Sequence, residues 1–293
     1  MRPTPSSDDR YQRVVDRYGL TARQNLICGC HVHVGVSSEA EGIAAINGIQ
    51  PWLPALLALR ANSPFWDGAD TGYASYRRQL YERWPTTGAN SPFADPAEYH
   101  ALVADLVSTG VLLDAGMVSF DVRLSHRYPT VEIRVADVGQ EPESALVVAA
   151  LSRALVDEAA RAAVSDQPWP VARPELLRAA AWQASRHGLS GDLLDPLTGR
   201  HRPAAEYLQQ LLERVRPLLV MNGDLQRVET AFDDLLSNGT GAQRQRAAHS
   251  WRGSLKDVVD DVVARTCPPE RTGGVQARQL ISIPSSTGKS TLA

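Results

Sequence analysis

Lysine is almost absent from this chain. Of 30 basic side chains only Lys256 and Lys289 are lysines, so few residues can serve amine-centred covalent catalysis. Cysteine is scarce too. Three residues in 293, two of them (Cys28 and Cys30) next-but-one neighbours, make no disulfide framework and point to a reducing compartment. Neither sign of charge is in excess: 30 basic against 33 acidic groups leave a net charge of −3, too weak a field to draw nucleic acid or an anionic membrane. The longest apolar runs, 51–59 and 145–156, read as too short or too interrupted for a bilayer. Residues 1–9 lack the apolar core of a secretory signal, so the cytoplasm is the expected compartment. No Gly-x-Ser-x-Gly elbow occurs. Gly288-Lys289-Ser290 fails as a phosphate loop because position 283, where that motif needs glycine, is Ile283.

What the chain does have is the stretch Leu26-Ile27-Cys28-Gly29-Cys30-His31-Val32-His33-Val34-Gly35-Val36. Period-two alternation predicts a strand. Ile27, Gly29, His31, His33 and Gly35 share one face; Cys28, Cys30, Val32, Val34 and Val36 share the other, expected in the core. Glycines in a strand let a ligand come close, so two imidazoles among glycines make a candidate site; a solvated strand face is the plainer alternative. Two further strands alternate alike. Over 117–124, Val118, Phe120, Val122 and Leu124 oppose Ser119, Asp121 and Arg123; over 130–136, Val131, Ile133 and Val135 oppose Thr130, Glu132 and Arg134. The link 125–129 is too short for a parallel crossover, so an antiparallel sheet is expected. Its polar faces would gather His31, His33, Asp121, Arg123, Glu132 and Arg134. A carboxylate with an imidazole suits Mg²⁺ or Mn²⁺ when phosphates complete the shell. Arginines alongside neutralise a polyphosphate and a transferring phosphoryl group.

Around these strands the periodicity predicts helices. One follows Asp8 or Asp9 and ends at Gly19; one covers 39–49 behind Ser38; one starts at Pro51; one is capped by Asp95. From Glu141 onward the pattern reads as helical, with segments at 174–187, 204–215, 224–236 and 242–264. Residues 61–75 form a long polar and aromatic loop, and Arg77, Arg78 and Arg83 after it are candidates for phosphate or carboxylate, with surface charge as the alternative. One domain over 1–265 is expected, then a Pro-, Gly-, Ser- and Thr-rich tail, 266–293, expected to be disordered.

Several motifs carry a family resemblance: Cys28-Gly29-Cys30-His31-Val32-His33-Val34-Gly35, Trp52-Leu53-Pro54, Asn62-Ser63-Pro64-Phe65-Trp66, Asp70-Thr71-Gly72-Tyr73-Ala74-Ser75, Pro129-Thr130-Val131-Glu132-Ile133-Arg134-Val135 and Trp182-Gln183-Ala184-Ser185-Arg186-His187-Gly188-Leu189. From Arg10 to Arg265 the chain resembles the type 2 glutamate–cysteine ligase family, in its bacterial carboxylate–amine ligase branch. The resemblance implies an α+β, glutamine synthetase-like fold: a curved antiparallel sheet, here incomplete, flanked by helices, with a largely helical C-terminal half and the active site in the concave face. It implies ATP-dependent amide formation from a small carboxylic acid and an amine, through an acyl phosphate. On the matching positions, His31 and Glu132 would hold the divalent cation (Mg²⁺ or Mn²⁺) that bridges nucleotide phosphates. His33, Arg123 and Arg134 would contact phosphates and developing charge, and Arg186 would contact nucleotide or substrate.

Two departures stand out. The family's Glu-rich strand motif does not occur here, and Arg123-Leu124-Ser125 replaces the usual Arg-Pro-Ser. The expectation is a chain that starts after the family's first strands, with weakened ligase activity, an open sheet edge and a second copy of itself as a candidate partner. Two other readings stay open: a nucleotide-binding remnant without turnover, and a metal-dependent amidohydrolase, which also uses a His-x-His strand but needs a (β/α)₈ barrel.

Overall fold

A computed structural model of the chain describes residues 8–165 and 169–267. Helix α1 (Asp9–Tyr18) starts where the Asp8 carboxylate accepts from the Arg10 N–H and stops at Gly19, whose φ is +56°. Then come α2 (Leu20–Arg23), strand β1 (Gly29–Gly35), α3 (Glu39–Ile49) and α4 (Leu53–Leu59). The aromatic loop carries two-residue strands β2 (Phe65–Trp66) and β3 (Ala69–Asp70) and leads to α5 (Tyr76–Tyr81) and α6 (Pro96–Ser108). Strands β4 (Val122–Leu124) and β5 (Thr130–Asp137) precede the long α7 (Pro142–Val164) and α8 (Pro174–His187). A hairpin of β6 (Asp192–Asp195) and β7 (Arg200–Pro203) is followed by α9 (Ala204–Met221), α10 (Leu225–Asn238), α11 (Gly241–Arg252) and α12 (Leu255–Thr266).

The sheet order is β1–β5–β4, antiparallel throughout. The class is α+β, as expected, and the antiparallel ladder excludes the barrel that the amidohydrolase reading needs. Val32, Val34, Val122, Leu124, Val131 and Ile133 turn toward a helical layer built on α3, α4 and α7. Residues 39–59 are long and apolar enough by composition to cross a membrane, contrary to the expectation from shorter runs, but 89% of that apolar window is buried inside the protein. Its apolar residues are used by the core: Ile46, Ile49, Leu56 and Leu57 are fully enclosed. Helix α7 also packs against α3, α9 and α10.

Four local expectations are corrected. The strand at 117–124 shrinks to Val122–Leu124: residues 115–117 form a tight turn, and Val118, Ser119, Phe120 and Asp121 are all buried, lying beside Gly88, whose carbonyl accepts from the Asp121 N–H at 3.1 Å. The helix expected over 242–264 is two helices, because Gly253 turns to φ +66° and Ser254 caps the second. Between α8 and α9 the chain forms the β6–β7 hairpin; the Asp195 carboxylate accepts from the Leu197 and Thr198 N–H groups, and Gly199 sits at φ +68°. Finally, Cys28 is exposed and Cys30 only partly buried, because the strand begins at Gly29 and Cys28 precedes it. The tail expected from 266 lies, beyond Cys267, outside the described residues.

Candidate active site

Register across the sheet builds a row. His33 on β1 stands opposite Glu132 on β5, and Glu132 stands opposite Arg123 on β4. Directly opposed residues share a face and lie within side-chain reach, so period-two alternation is enough to converge these groups on one carboxylate. Arg123 Nε donates to Glu132 Oε2 at 2.7 Å, and Arg134 Nη1 donates to Oε1. His31 Nδ1 is 3.1 Å from Oε1, and His33 Nε2 is 3.9 Å away. Glu132 is buried, while both imidazoles face solvent. The Thr130 hydroxyl, 2.9 Å from His33 Nδ1, fixes that ring from the other side.

One irregularity shapes the rest. Cys30 pairs with Ala136 but Val32 with Ile133, so Arg134 and Val135 together face the single residue His31: β5 bulges. The extra residue shifts the alternation. Asp137, which unbroken alternation would turn to the apolar side, pairs with Gly29 and so joins the face of His31 and His33. Arg77 of α5 covers the bulge, donating Nη2 to the Arg134 carbonyl at 3.1 Å and Nη1 to the Val135 carbonyl at 3.3 Å. The same guanidinium lies 3.7 Å from the Asp137 carboxylate, which accepts from the Asn62 N–H at 2.9 Å and from the Ser63 and Ser75 hydroxyls at 2.8 and 2.9 Å.

The charges of the cluster are settled by these contacts. Burial alone would raise the Glu132 carboxyl; the His31 hydrogen bond and the Arg134 and Arg123 guanidiniums outweigh it and hold the group well below the usual carboxylate range. The Glu132 hydrogen bond favours a protonated His31, but burial with Arg134 and Arg77 nearby wins and lowers its pKa. The imidazole is therefore neutral at neutral pH. Two guanidiniums against one carboxylate leave the face net positive, suited to a phosphate or carboxylate.

The same geometry tests the expected cation. With Nδ1 aimed at Glu132, the His31 tautomer that donates there leaves the Nε2 lone pair free, which is how a carboxylate-backed imidazole ligates a metal. Both Glu132 oxygens are already shared with guanidiniums. Among the described residues no three His, Cys, Asp or Glu side chains converge as a metal cage. The residues fit a cation held by imidazole and phosphate oxygens, not one enclosed by protein.

Other expected residues divide. Arg186 makes no hydrogen bond or ion pair with the cluster; its guanidinium lies 5.4 Å over the Tyr73 ring, among the aromatics of the loop. Asp121 is withdrawn into the interior, where fully buried Arg78 donates to it and, at 2.8 Å, to Glu82. Arg78 and Arg77 are thus internal struts rather than phosphate contacts, and Arg83 donates to Gln24 at 3.2 Å on the surface. Arg123 also turns inward, donating to the Gly116 carbonyl at 2.9 Å and to that of Val118. Sequence reading passed over Tyr81. Its hydroxyl accepts from Arg134 Nε at 2.8 Å and donates to the Ser119 carbonyl at 3.0 Å, and the Arg77 and Arg134 guanidiniums lie 5.3 and 5.8 Å from its ring centre. A lone Tyr in a short helix carries no local signal for that position.

Comparison with known proteins adds four findings. The model of glutamate-cysteine ligase family 2 matches residues 1–261. A Frankia alni protein provisionally named glutamate–cysteine ligase 2-2 is 52% identical over 265 residues, covering 90% of this chain and 69% of its own length. A Streptomyces avermitilis protein provisionally named glutamate–cysteine ligase 2-1 is 49% identical over 270 residues, covering 90% and 73%. The crystal structure of the Francisella tularensis glutamate–cysteine ligase, in complex with AMP, aligns with a TM-score of 0.54 at 13% identity. That likeness is one of fold; it covers 78% of this chain and 58% of the other.

Proposed function

Since the chain belongs to glutamate-cysteine ligase family 2, we propose that the polar face of its β1–β5–β4 sheet is the phosphate end of an ATP-dependent carboxylate–amine ligase site. The observation that carries this reading is the row His33–Glu132–Arg123 with His31 and Arg134 on the same carboxylate. It is a net-positive face, rich in donors and open to solvent at the imidazoles.

The reaction runs in two steps. A substrate carboxylate oxygen attacks the γ-phosphorus of ATP, the bond to ADP breaks, and an acyl phosphate forms. The amine nitrogen then attacks the acyl carbon, inorganic phosphate leaves and the amine gives up a proton. Each step loads negative charge onto phosphoryl oxygens, and preorganised cations stabilise that charge. Arg134 is the group for this, its Nε fixed by Tyr81 and its Nη1 by Glu132. His33, held by Thr130, is a second phosphate contact. Arg123 is a positioning residue: it faces inward and holds Glu132. A Mg²⁺ or Mn²⁺ ion would neutralise the nucleotide phosphates, with His31 as its protein ligand and Glu132 behind the imidazole. Arg186, stacked over Tyr73, would contact the nucleotide or the substrate. Glutamate and cysteine, from the names of the relatives, are the first acid and amine to assay.

ATP binding and amide production by the whole chain and by Arg134→Met test the reading. ATP affinity about tenfold or more weaker in the variant is expected. Unchanged ATP affinity in a folded Arg134→Met protein overturns the site. ATP binding with no amide product would make the chain a nucleotide-binding protein without turnover.

A further inference from the structure

The turn between β4 and β5 brings an aromatic ring to the polar sheet face. Its backbone is tied down. The Ser125 N–H donates to the Thr130 carbonyl at 2.9 Å, the Thr130 N–H to the Tyr128 carbonyl at 2.7 Å, and the Tyr128 N–H to the Ser125 hydroxyl at 3.3 Å. The Val36 N–H, just past β1, donates to the Pro129 carbonyl at 3.0 Å. Tyr128 is thereby set beside His33. The two rings stand perpendicular, at 88°, with centroids 6.4 Å apart, an arrangement that aromatic pairs favour. Yet Tyr128 is 64% exposed, so core packing does not account for its ring.

A second neighbour of His33 follows from the register. Thr130 pairs with Gly35, two residues from His33 on the same face, and a diagonal neighbour is within side-chain reach. Gly35 has no side chain to compete, and the Thr130 hydroxyl lies 2.9 Å from His33 Nδ1. A hydroxyl donates as well as accepts. An imidazole that serves a phosphate must offer it an N–H. With Nδ1 accepting from Thr130, the proton of the neutral ring is on Nε2. That nitrogen is on the Glu132 side, 3.9 Å from Oε1. A flip of the ring about its roughly two-fold torsion would put carbons where the nitrogens are and withdraw the N–H. The Thr130 hydroxyl selects one flip state, and the perpendicular Tyr128 ring stands against turning of the imidazole.

We propose that Tyr128 and Thr130 are positioning residues of the sheet face, holding the His33 imidazole with a protonated Nε2 turned toward the phosphates. The inference rests on the reading of that face as a phosphate site. It gives the two imidazoles of β1 opposite tautomers: His31 presents a lone pair to a cation, and His33 presents an N–H to a phosphate oxygen. Tyr128 acts through its ring, so its hydroxyl is dispensable.

Nitrogen NMR of the whole chain without nucleotide, in mildly alkaline buffer where imidazoles are neutral, reads which ring nitrogen carries the proton. Comparison with His33→Gln identifies the His33 signals. In the unaltered chain Nε2 should carry the proton. In Tyr128→Ala and in Thr130→Val the two nitrogen shifts should move toward each other as the tautomers mix; a lost ring current alone does not exchange a proton between nitrogens. ATP affinity should fall about threefold or more in each variant. The Tm of Tyr128→Ala should stay where it is, because the ring is exposed. Tyr128→Phe, which keeps the ring, should rescue both the nitrogen pattern and the ATP affinity. A His33 protonated on Nδ1 in the unaltered chain, or an unchanged nitrogen pattern in either variant, overturns the proposal. So does a Tyr128→Phe chain that behaves like Tyr128→Ala, since the hydroxyl would then be the acting group. Tyr128→Ala decides the matter if Thr130→Val fails to fold. Failure of the sheet-face reading shows separately, as unchanged ATP affinity in Arg134→Met.

Discussion

Arg77 lies directly across Gly29, and any side chain at position 29 would collide with its guanidinium. The two residues close the sheet face together: glycine leaves the space, and arginine uses it to cap the carbonyls of the β5 bulge and to pair with Asp137. Gly29→Ala is expected to lower stability by about 2 kcal/mol, through overpacking and a displaced buried guanidinium. Gly35, at the other end of the same strand, has nothing within 4 Å of a built Cβ, and Gly35→Ala should cost less than about 1 kcal/mol. Urea midpoints of the two variants check this; equal losses would contradict it.

Arg123 and Arg134 share Glu132 but differ in surroundings. Arg123 is buried and also donates to two backbone carbonyls, so Arg123→Met should destabilise by about 3 kcal/mol, as expected when one partner of a buried ion pair is removed. Arg134→Met should cost less stability and more ATP affinity. Denaturant unfolding and nucleotide titration of both variants compare the two; the reverse ranking would exchange their roles.

Asp70 ties the aromatic loop to α11. Its carboxylate accepts from Arg246 at 2.6 and 2.8 Å and from the Gly72 N–H at 2.8 Å. The Arg246 hydrogen bonds lower its pKa against a burial that would raise it. A group with a depressed folded pKa stabilises above its unfolded value, here 3.8, and loses that contribution as pH falls through the folded value. The pair is partly exposed, so Asp70→Asn should cost under about 1 kcal/mol near neutral pH. The gap between the two proteins should be flat above the unfolded value and shrink on acidification. Chemical denaturation across acidic and neutral buffers measures it; a gap that widens toward acid would reverse the sign.

The exposed thiol of Cys28 should react readily with a thiol reagent in the native protein, while Cys30, packed against the core, should lag behind it. Mass spectrometry of the labelled peptides separates the two. Faster labelling of Cys30 would show that β1 begins earlier than Gly29.

Much of the site was legible because alternation is a local rule. In β1 and the first half of β5 it holds residue by residue, so the convergence of His31, His33, Glu132 and Arg123 follows from period two and antiparallel pairing alone. Caps and helical periodicity likewise mark α1, α3 and α6 from side chains within a few residues of each start. The hairpin after α8 was missed although Asp195 and Gly199 announce a turn, because apolar helical patterns on both sides outweighed four-residue strands.

Local pattern accounts for the α+β class, the polar strand faces and the carboxylate at their centre. The remainder rests on contacts between segments far apart in the chain. A one-residue bulge is invisible to periodicity, yet it moves Asp137 to the site's face and gives Arg77 its carbonyls. The inward turn of Arg78, which meets Asp121 across 43 positions, depends on a partner that no local pattern links to it. Arg60 meets Gly139 only where α4 ends beside the link out of β5. Burial and pairing of charges are properties of distant segments brought into contact, and alternation says only which way a side chain points.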